Sequence, residues 1–156
     1  MDYQKRFDQE LYDANDGPAK AIVKWFVKKW FNDDAIILPE IPTKPQPDLK
    51  GRYWYEAQRA LGWIDSTRKP ESILVYGRKS KILPYNGREN KPLYIFAISN
   101  DGKAIAQLPT GLINNKYKEM KTDMPTDTGI EYRWRIPGEL CLCWYIGGPN
   151  EHIELI

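Results

Sequence analysis

Asp48 and Glu56 are the residues of this chain best suited to chemistry. They stand in the run Pro47-Asp48-Leu49-Lys50-Gly51-Arg52-Tyr53-Trp54-Tyr55-Glu56-Ala57-Gln58. Lys50-Gly51 predicts a tight turn, and the aromatic-rich residues after it predict a strand from about Arg52 to Ala60. Side chains alternate across a strand, so Trp54, Glu56 and Gln58 share one face and Tyr53, Tyr55 and Ala57 the other. The turn folds Asp48 back toward the start of that strand. Two carboxylates beside a polar amide suit a hard divalent cation such as Mg²⁺, which takes one or two protein carboxylates and keeps several waters. The same spacing also fits a surface hairpin with an exposed Glu and Gln, because exposed carboxylates are ordinary.

The elements that must position this pair are legible on either side of it. Tyr3, Phe7, Leu11 and Ala14 form a helical stripe over residues 2–14, with Glu10 beside it. Asp16-Gly17-Pro18 breaks that pattern, and Pro18 suits the first turn of a second helix running to Phe31. The predicted buried face of this helix is Ala19, Ile22, Val23, Phe26, Val27 and Trp30. Lys20, Lys24 and Lys28 follow at four-residue intervals, as a solvated face or a phosphate-contacting ridge. Ala35-Ile36-Ile37-Leu38 reads as a short buried strand. Pro39, Pro42, Pro45 and Pro47 then make an extended, stiff approach to Asp48.

Beyond the hairpin, Ser72–Tyr76 reads as a strand that runs into a basic element. Leu93–Ser99 is the strongest central-strand candidate, and the Asn100-Asp101-Gly102 turn joins it to a partner over Lys103–Leu108. Thr110–Lys121 is ambiguous and suits a short helix, and Thr122–Gly129 is a loop. Tyr132, Trp134 and Ile136 share a face on one strand. After the Pro137-Gly138 turn, Leu140, Leu142, Trp144 and Ile146 do the same on another, and Ile153–Ile156 suits a last edge strand.

Composition limits the function classes. A length of 156 residues fits one domain, and 42% hydrophobic residues supply a core. The net charge is only +2, so any nucleic-acid contact must come from a local patch. The most concentrated patch is Arg78-Lys79-Ser80-Lys81 with Arg88 nearby and Tyr76 and Tyr85 flanking, where cations interleave with aromatic rings. The alternative reading of that run is a charged turn between edge strands. Arg133 and Arg135 can extend the patch or face water, while Trp54 and Trp63 suit packing. Cys141 and Cys143 lack zinc-type spacing and read as buried thiols of a reducing compartment. The lone histidine, His152, has no obvious partner, which argues against Ser/His or Cys/His catalysis. There is no Gly-rich phosphate loop, signal peptide or membrane-length apolar run, so a soluble, cytoplasmic protein is expected.

In Pro47-Asp48, Glu56-Ala57-Gln58 and the order of elements over residues 1–108, the chain resembles the PD-(D/E)XK nuclease superfamily. The resemblance implies an α+β fold: a mixed central β-sheet flanked by helices, restriction-endonuclease-like, with additional C-terminal β-strands. It implies one domain over 1–156, with 109–156 as a helix/strand extension. It further implies a metal-dependent endonuclease using Mg²⁺ or Mn²⁺, with Asp48 and Glu56 as metal carboxylates and the Ala57 carbonyl as a further ligand. Glu10 is the candidate for the helix glutamate that many members carry near the metal. Phosphodiester hydrolysis needs a cation to offset phosphate charge and a water of lowered pKa. The chain departs from the family at the last motif position, usually Lys and here Gln58. Gln58 can orient a water but brings no charge, so Lys79 or Lys81 is expected to supply the missing cation.

Three readings follow. The first is a nuclease acting on nucleic acid, DNA ahead of RNA, with homodimerisation a family habit. The second is a non-catalytic nucleic-acid-binding or protein-interaction module on the same fold, favoured by Gln58. The third is a β-rich carbohydrate- or peptide-binding module, favoured by the Trp and Tyr content, and it requires exposed rows of Trp.

Overall fold

The computed structural model of the chain describes residues 17–121, 131–147 and 152–156. The helix expected over 2–14, Glu10 with it, and the loop expected over 122–129 lie outside the described residues. Helix α1 spans Gly17–Phe31, with Pro18 in its first turn and Lys28 and Lys29 in its last, where cations complement the helix dipole. Ala19, Val23, Phe26 and Val27 are fully buried on one side of it. Asn32 takes a left-handed backbone (φ 51°) that ends the helix, and the Asp33 N–H returns to the Val27 carbonyl at 3.1 Å.

The strands are β1 (Ile36–Ile37), β2 (Leu49–Lys50), β3 (Trp54–Ala60), β4 (Ser72–Tyr76), β5 (Leu93–Ser99), β6 (Ala104–Leu108), β7 (Lys118–Lys121), β8 (Glu131–Pro137), β9 (Leu142–Tyr145) and β10 (Glu154–Leu155). Seven of them form a sheet in the order β1-β2-β3-β5-β6-β9-β10, and β4-β8-β7 form a second sheet. β3 and β5 run parallel, from Trp54 opposite Leu93 to Ala60 opposite Ser99, while the other pairs are antiparallel. The fold is thus α+β with a mixed sheet. A parallel pair needs a crossover. Here the crossover is β4 followed by 3-10 turns at Gly77–Lys81, Leu83–Tyr85 and Arg88–Asn90.

Two apolar cores lie on the two faces of the large sheet. Tyr55, Ala57, Phe96, Ile98, Ile105 and Trp144 pack with α1. Trp54, Leu93, Ile95 and Cys143 pack with Ile73, Val75, Trp134 and Ile136 of the second sheet. The expectation of helices flanking the sheet is therefore corrected among the described residues: one face carries α1 and the other a three-stranded sheet. The sequence reason is β8, where Trp134 and Ile136 alternate with Arg133 and Arg135 and give one apolar face to cover the sheet.

Four local expectations also change. Ile36 and Ile37 are 58% and 43% exposed, because β1 is a two-residue edge strand and not a buried one. Trp30 is 47% exposed, although it stacks on Phe26. Residues 110–121 form two 3-10 turns and β7 rather than a helix. Leu140 and Leu142 are exposed while Cys141 and Cys143 are buried, so β9 buries Trp144 toward α1 and Cys143 toward the second sheet.

The β2–β3 hairpin is fixed from the helix end. Buried Asp33 accepts from the Arg52 N–H at 3.0 Å and from the Tyr55 hydroxyl at 2.6 Å. A Cβ on Gly51 would lie 2.4 Å from an Asp33 carboxylate oxygen, so the turn requires glycine there. Burial and Asp33 together push the Tyr55 phenol well above its usual range, keeping it a donor. Replacing Asp33 by Ala strands the Tyr55 hydroxyl in the core. We expect a loss of about 2–4 kcal/mol, read as a lower urea midpoint at unchanged m-value, with Asp33→Asn losing less.

Candidate functional site

The short β2 creates the site. It pairs with β3 only at Trp54 and Tyr55, so beyond that point this edge of β3 has no partner strand among the described residues. Asp48, just before β2, fills the gap with its side chain: Oδ2 accepts from the Ala57 N–H at 2.9 Å. In return the Asp48 N–H donates to Glu56 Oε1 at 3.2 Å, and the Asp48 carbonyl accepts from the Leu38 N–H at 2.8 Å. The N–H and C=O of one strand residue project to the same edge, so the Ala57 carbonyl opens toward Asp48. The paired carboxylates expected from the sequence do converge. The surface-hairpin reading is overturned, because Glu56 and Gln58 are only 6% and 8% exposed.

Each carboxylate carries an ammonium on its far side. Lys20 Nζ lies 3.4 Å from Asp48 Oδ1 and 3.8 Å from Glu40. Lys79 Nζ donates to Glu56 Oε2. The result is a row of alternating basic and acidic side chains, Lys20–Asp48–Glu56–Lys79, in which Lys20 is 4% exposed. Burial raises the Glu56 carboxyl to about 8; the Lys79 ammonium opposes the rise and the Asp48 carboxylate adds to it.

Lys20 was missed as a site residue. Each step of four residues advances about 40° around a helix, so the row drifts by about 80° and Lys20 lies closest to the buried side while Lys24 and Lys28 are exposed. The signal was present at Lys20, Val23 and Val27, whose i, i+3, i+7 spacing puts Lys20 at the margin of the buried stripe. The solvated-row reading holds for Lys24 and Lys28, which are exposed.

Gln58 Nε2 donates to the Leu74 carbonyl of β4 at 2.8 Å, which ties β3 to the second sheet. The amide nitrogen is thus committed and the oxygen Oε1 remains as an acceptor. Asp48, Glu56, Ala57, Gln58, Arg78 and Lys79 line a cleft of about 370 Å³. Among the described residues no group of three or more His, Cys, Asp or Glu side chains converges as a metal cluster. A cation at this site would therefore rest on two carboxylates, a backbone carbonyl and waters, a donor set that suits Mg²⁺.

The remaining predicted residues divide. Lys81 is exposed at the end of the 3-10 turn that carries Lys79. The Arg78 guanidinium lies over the half-buried Tyr76 ring at 5.2 Å. Tyr85 is buried against Trp54 with Arg88 over it at 4.0 Å, so it is a packing ring and not a platform for bases. Arg133 and Arg135 are paired with Glu119 at 3.3 and 3.1 Å and do not extend the patch. Trp54, Trp63, Trp134 and Trp144 are buried, which removes the Trp rows required of a carbohydrate-binding module. Cys141 and Cys143 are free and buried, with burial raising their thiols to about 12 and 11. Exposed His152 pairs with Glu154 at 3.0 Å. No helix among the described residues is long and apolar enough to cross a membrane. Compared with family models, curated proteins and solved structures, the chain matches none.

The raised Glu56 carboxyl gives stability a definite pH slope. The folded chain holds a proton there between its ordinary value of 4.5 and about 8, where the unfolded chain has lost it. Stability therefore falls as pH rises through that window, by up to about 1.4 kcal/mol per pH unit. Glu56→Gln is expected to flatten this slope and to be the more stable protein at pH 8 in EDTA, measured by urea unfolding from pH 5 to 8.5.

Proposed function

We propose that the protein is a metal-dependent endonuclease of the PD-(D/E)XK type. The observation that carries the reading is the convergence of Asp48 and Glu56 at the open edge of β3, with the Lys79 ammonium against Glu56. On this reading the mixed sheet is a restriction-endonuclease-like core, in which the second sheet replaces a flanking helix. Asp48, Glu56 and the Ala57 carbonyl would hold Mg²⁺ or Mn²⁺. A cation bound there lowers the pKa of a water and offsets phosphate charge.

The chain's own residues supply the rest. Lys79 takes the part of the family's motif lysine, reaching Glu56 from the neighbouring 3-10 turn instead of from position 58. Its ammonium balances negative charge that grows on the phosphate as a water oxygen bonds to phosphorus and the ester P–O bond breaks. Gln58 Oε1 accepts from a water, while its Nε2 keeps the cleft floor closed through Leu74. Lys20 neutralises Asp48 and holds it against β3.

A second reading draws on the same row of charges. Lys20 and Lys79 already balance both carboxylates, which suits a non-catalytic nucleic-acid-binding or protein-interaction module.

Cleavage of labelled single- and double-stranded DNA and RNA in Mg²⁺, Mn²⁺ or EDTA separates the two. The nuclease reading expects metal-dependent cutting, lowered by about 100-fold or more in Asp48→Ala, Glu56→Ala and Lys79→Met, with circular dichroism unchanged. Cutting that survives both carboxylate variants would remove this site from the reaction. Binding with no cutting in any metal would leave the binding module.

A further inference from the structure

The oxygens of Asp48 and Glu56 already have partners. Asp48 Oδ2 accepts from the Ala57 N–H at 2.9 Å, and Glu56 Oε1 accepts from the Asp48 N–H at 3.2 Å. Asp48 Oδ1 faces the Lys20 ammonium at 3.4 Å, and Glu56 Oε2 accepts from Lys79. The two backbone donors belong to the hairpin and cannot leave without opening it. The two oxygens that face a side chain instead both face an ammonium.

A carboxylate has lone pairs to spare, so the conflict is one of charge. Mg²⁺ bonds oxygen at about 2.1 Å, and a hydrogen bond adds about 3 Å. A cation and the Lys79 ammonium on the same oxygen would thus lie within about 5 Å of each other. Like charges at that separation repel strongly where water is excluded, and Glu56 is buried.

The two lysines are not equally able to yield. Lys20 is buried, starts from α1, and divides its ammonium between Asp48 and Glu40. Lys79 stands on the 3-10 turn Gly77–Lys81, none of whose residues is buried. Its four-carbon stem is flexible. With Arg78 it lines the cleft of about 370 Å³, so the ammonium has space to enter. Glu40 lines the same cleft, so an acidic side chain is there to receive it.

We propose that the Lys79 ammonium and a divalent cation compete for Glu56, so that cation binding releases Lys79 from Glu56 into the cleft. The inference rests on the reading of Asp48 and Glu56 as cation ligands, but not on cleavage. It deepens that reading: Lys79 becomes available to a phosphate only once the cation is in place.

The test is acetylation of the full chain by the N-hydroxysuccinimide ester of acetic acid, mapped by mass spectrometry. It is run alone, with Mg²⁺ at saturation, and with sodium chloride of equal ionic strength. Titration calorimetry with Mg²⁺ sets the saturating concentration. Mg²⁺ is expected to raise the acetylation rate of Lys79 by about 10-fold. Sodium chloride is expected to leave that rate unchanged, and Lys20 stays protected throughout. Exposed Lys81, on the same turn, calibrates the reagent. In Glu56→Gln, with circular dichroism unchanged, Lys79 is expected to react fast from the start and to ignore Mg²⁺.

Mg²⁺ binding with no faster reaction at Lys79 overturns the inference and leaves the metal reading standing. Release by sodium chloride alone, or release of Lys20 in place of Lys79, overturns it as well. No Mg²⁺ binding in calorimetry removes the metal reading itself, and the inference with it.

Discussion

Two carboxylates cannot sit side by side in a protein interior as bare anions, so a cation must offset the charge or one of them must hold a proton, and the arrangement of this molecule follows from that constraint. Asp48 and Glu56 are joined through backbone N–H groups, one at 2.9 Å and one at 3.2 Å. Each then has a cation beside it from outside the hairpin. Lys20 comes from α1, and Lys79 comes from the crossover between β3 and β5. The removal of one partner from such a row leaves a buried charge uncompensated. The row therefore couples the helix, the hairpin and the crossover in one electrostatic unit.

The surrounding packing makes the row possible. α1 lies close enough to deliver Lys20 because Val23, Phe26 and Val27 pack on Tyr55, Ala57 and Phe96. The crossover comes close because a Cβ on Gly77 would lie 2.6 Å from the Tyr132 carbonyl, so only glycine lets the turn bearing Lys79 sit against β8. Gly138 plays the same part for the second sheet, where a Cβ would collide with the Pro70 carbonyl. These close approaches bring the second sheet down over the polar face of β3. A row of Glu56 and Gln58 that would otherwise face water becomes a buried floor.

Much of this was legible in the sequence where period and turn chemistry are strong. The helix to Phe31, the β3 and β5 strands, the Asn100-Asp101-Gly102 turn and the edge strand near the C-terminus all follow from local pattern. The convergence of Asp48 with Glu56 also followed, because a hairpin register is a local property. What was not legible depends on contacts between distant residues. Nothing in Arg133 or Arg135 announces Glu119 as their partner, and nothing in Tyr85 announces that Trp54 and Arg88 enclose it. Of the second sheet, β4 and β8 were read as strands and β7 was not, and nothing marked them as the cover over β3. Lys20 was hidden by its own row, since Lys24 and Lys28 share its spacing and not its surroundings.

Gln58 shows how such distant contacts alter the meaning of a single residue. Read along the strand, it is the position where a cation is missing. Read in the fold, its Nε2 must donate to the Leu74 carbonyl to close the floor between β3 and β4. A lysine there could also donate to that carbonyl, but it would place a second ammonium near Lys79 on the same buried face. Such like charges at low dielectric repel strongly. The amide supplies the hydrogen bond without the charge, and Lys79 supplies the charge without occupying the strand. On the proposed reading, the division of one role between two residues follows from the hydrogen bond by which Gln58 ties β3 to β4.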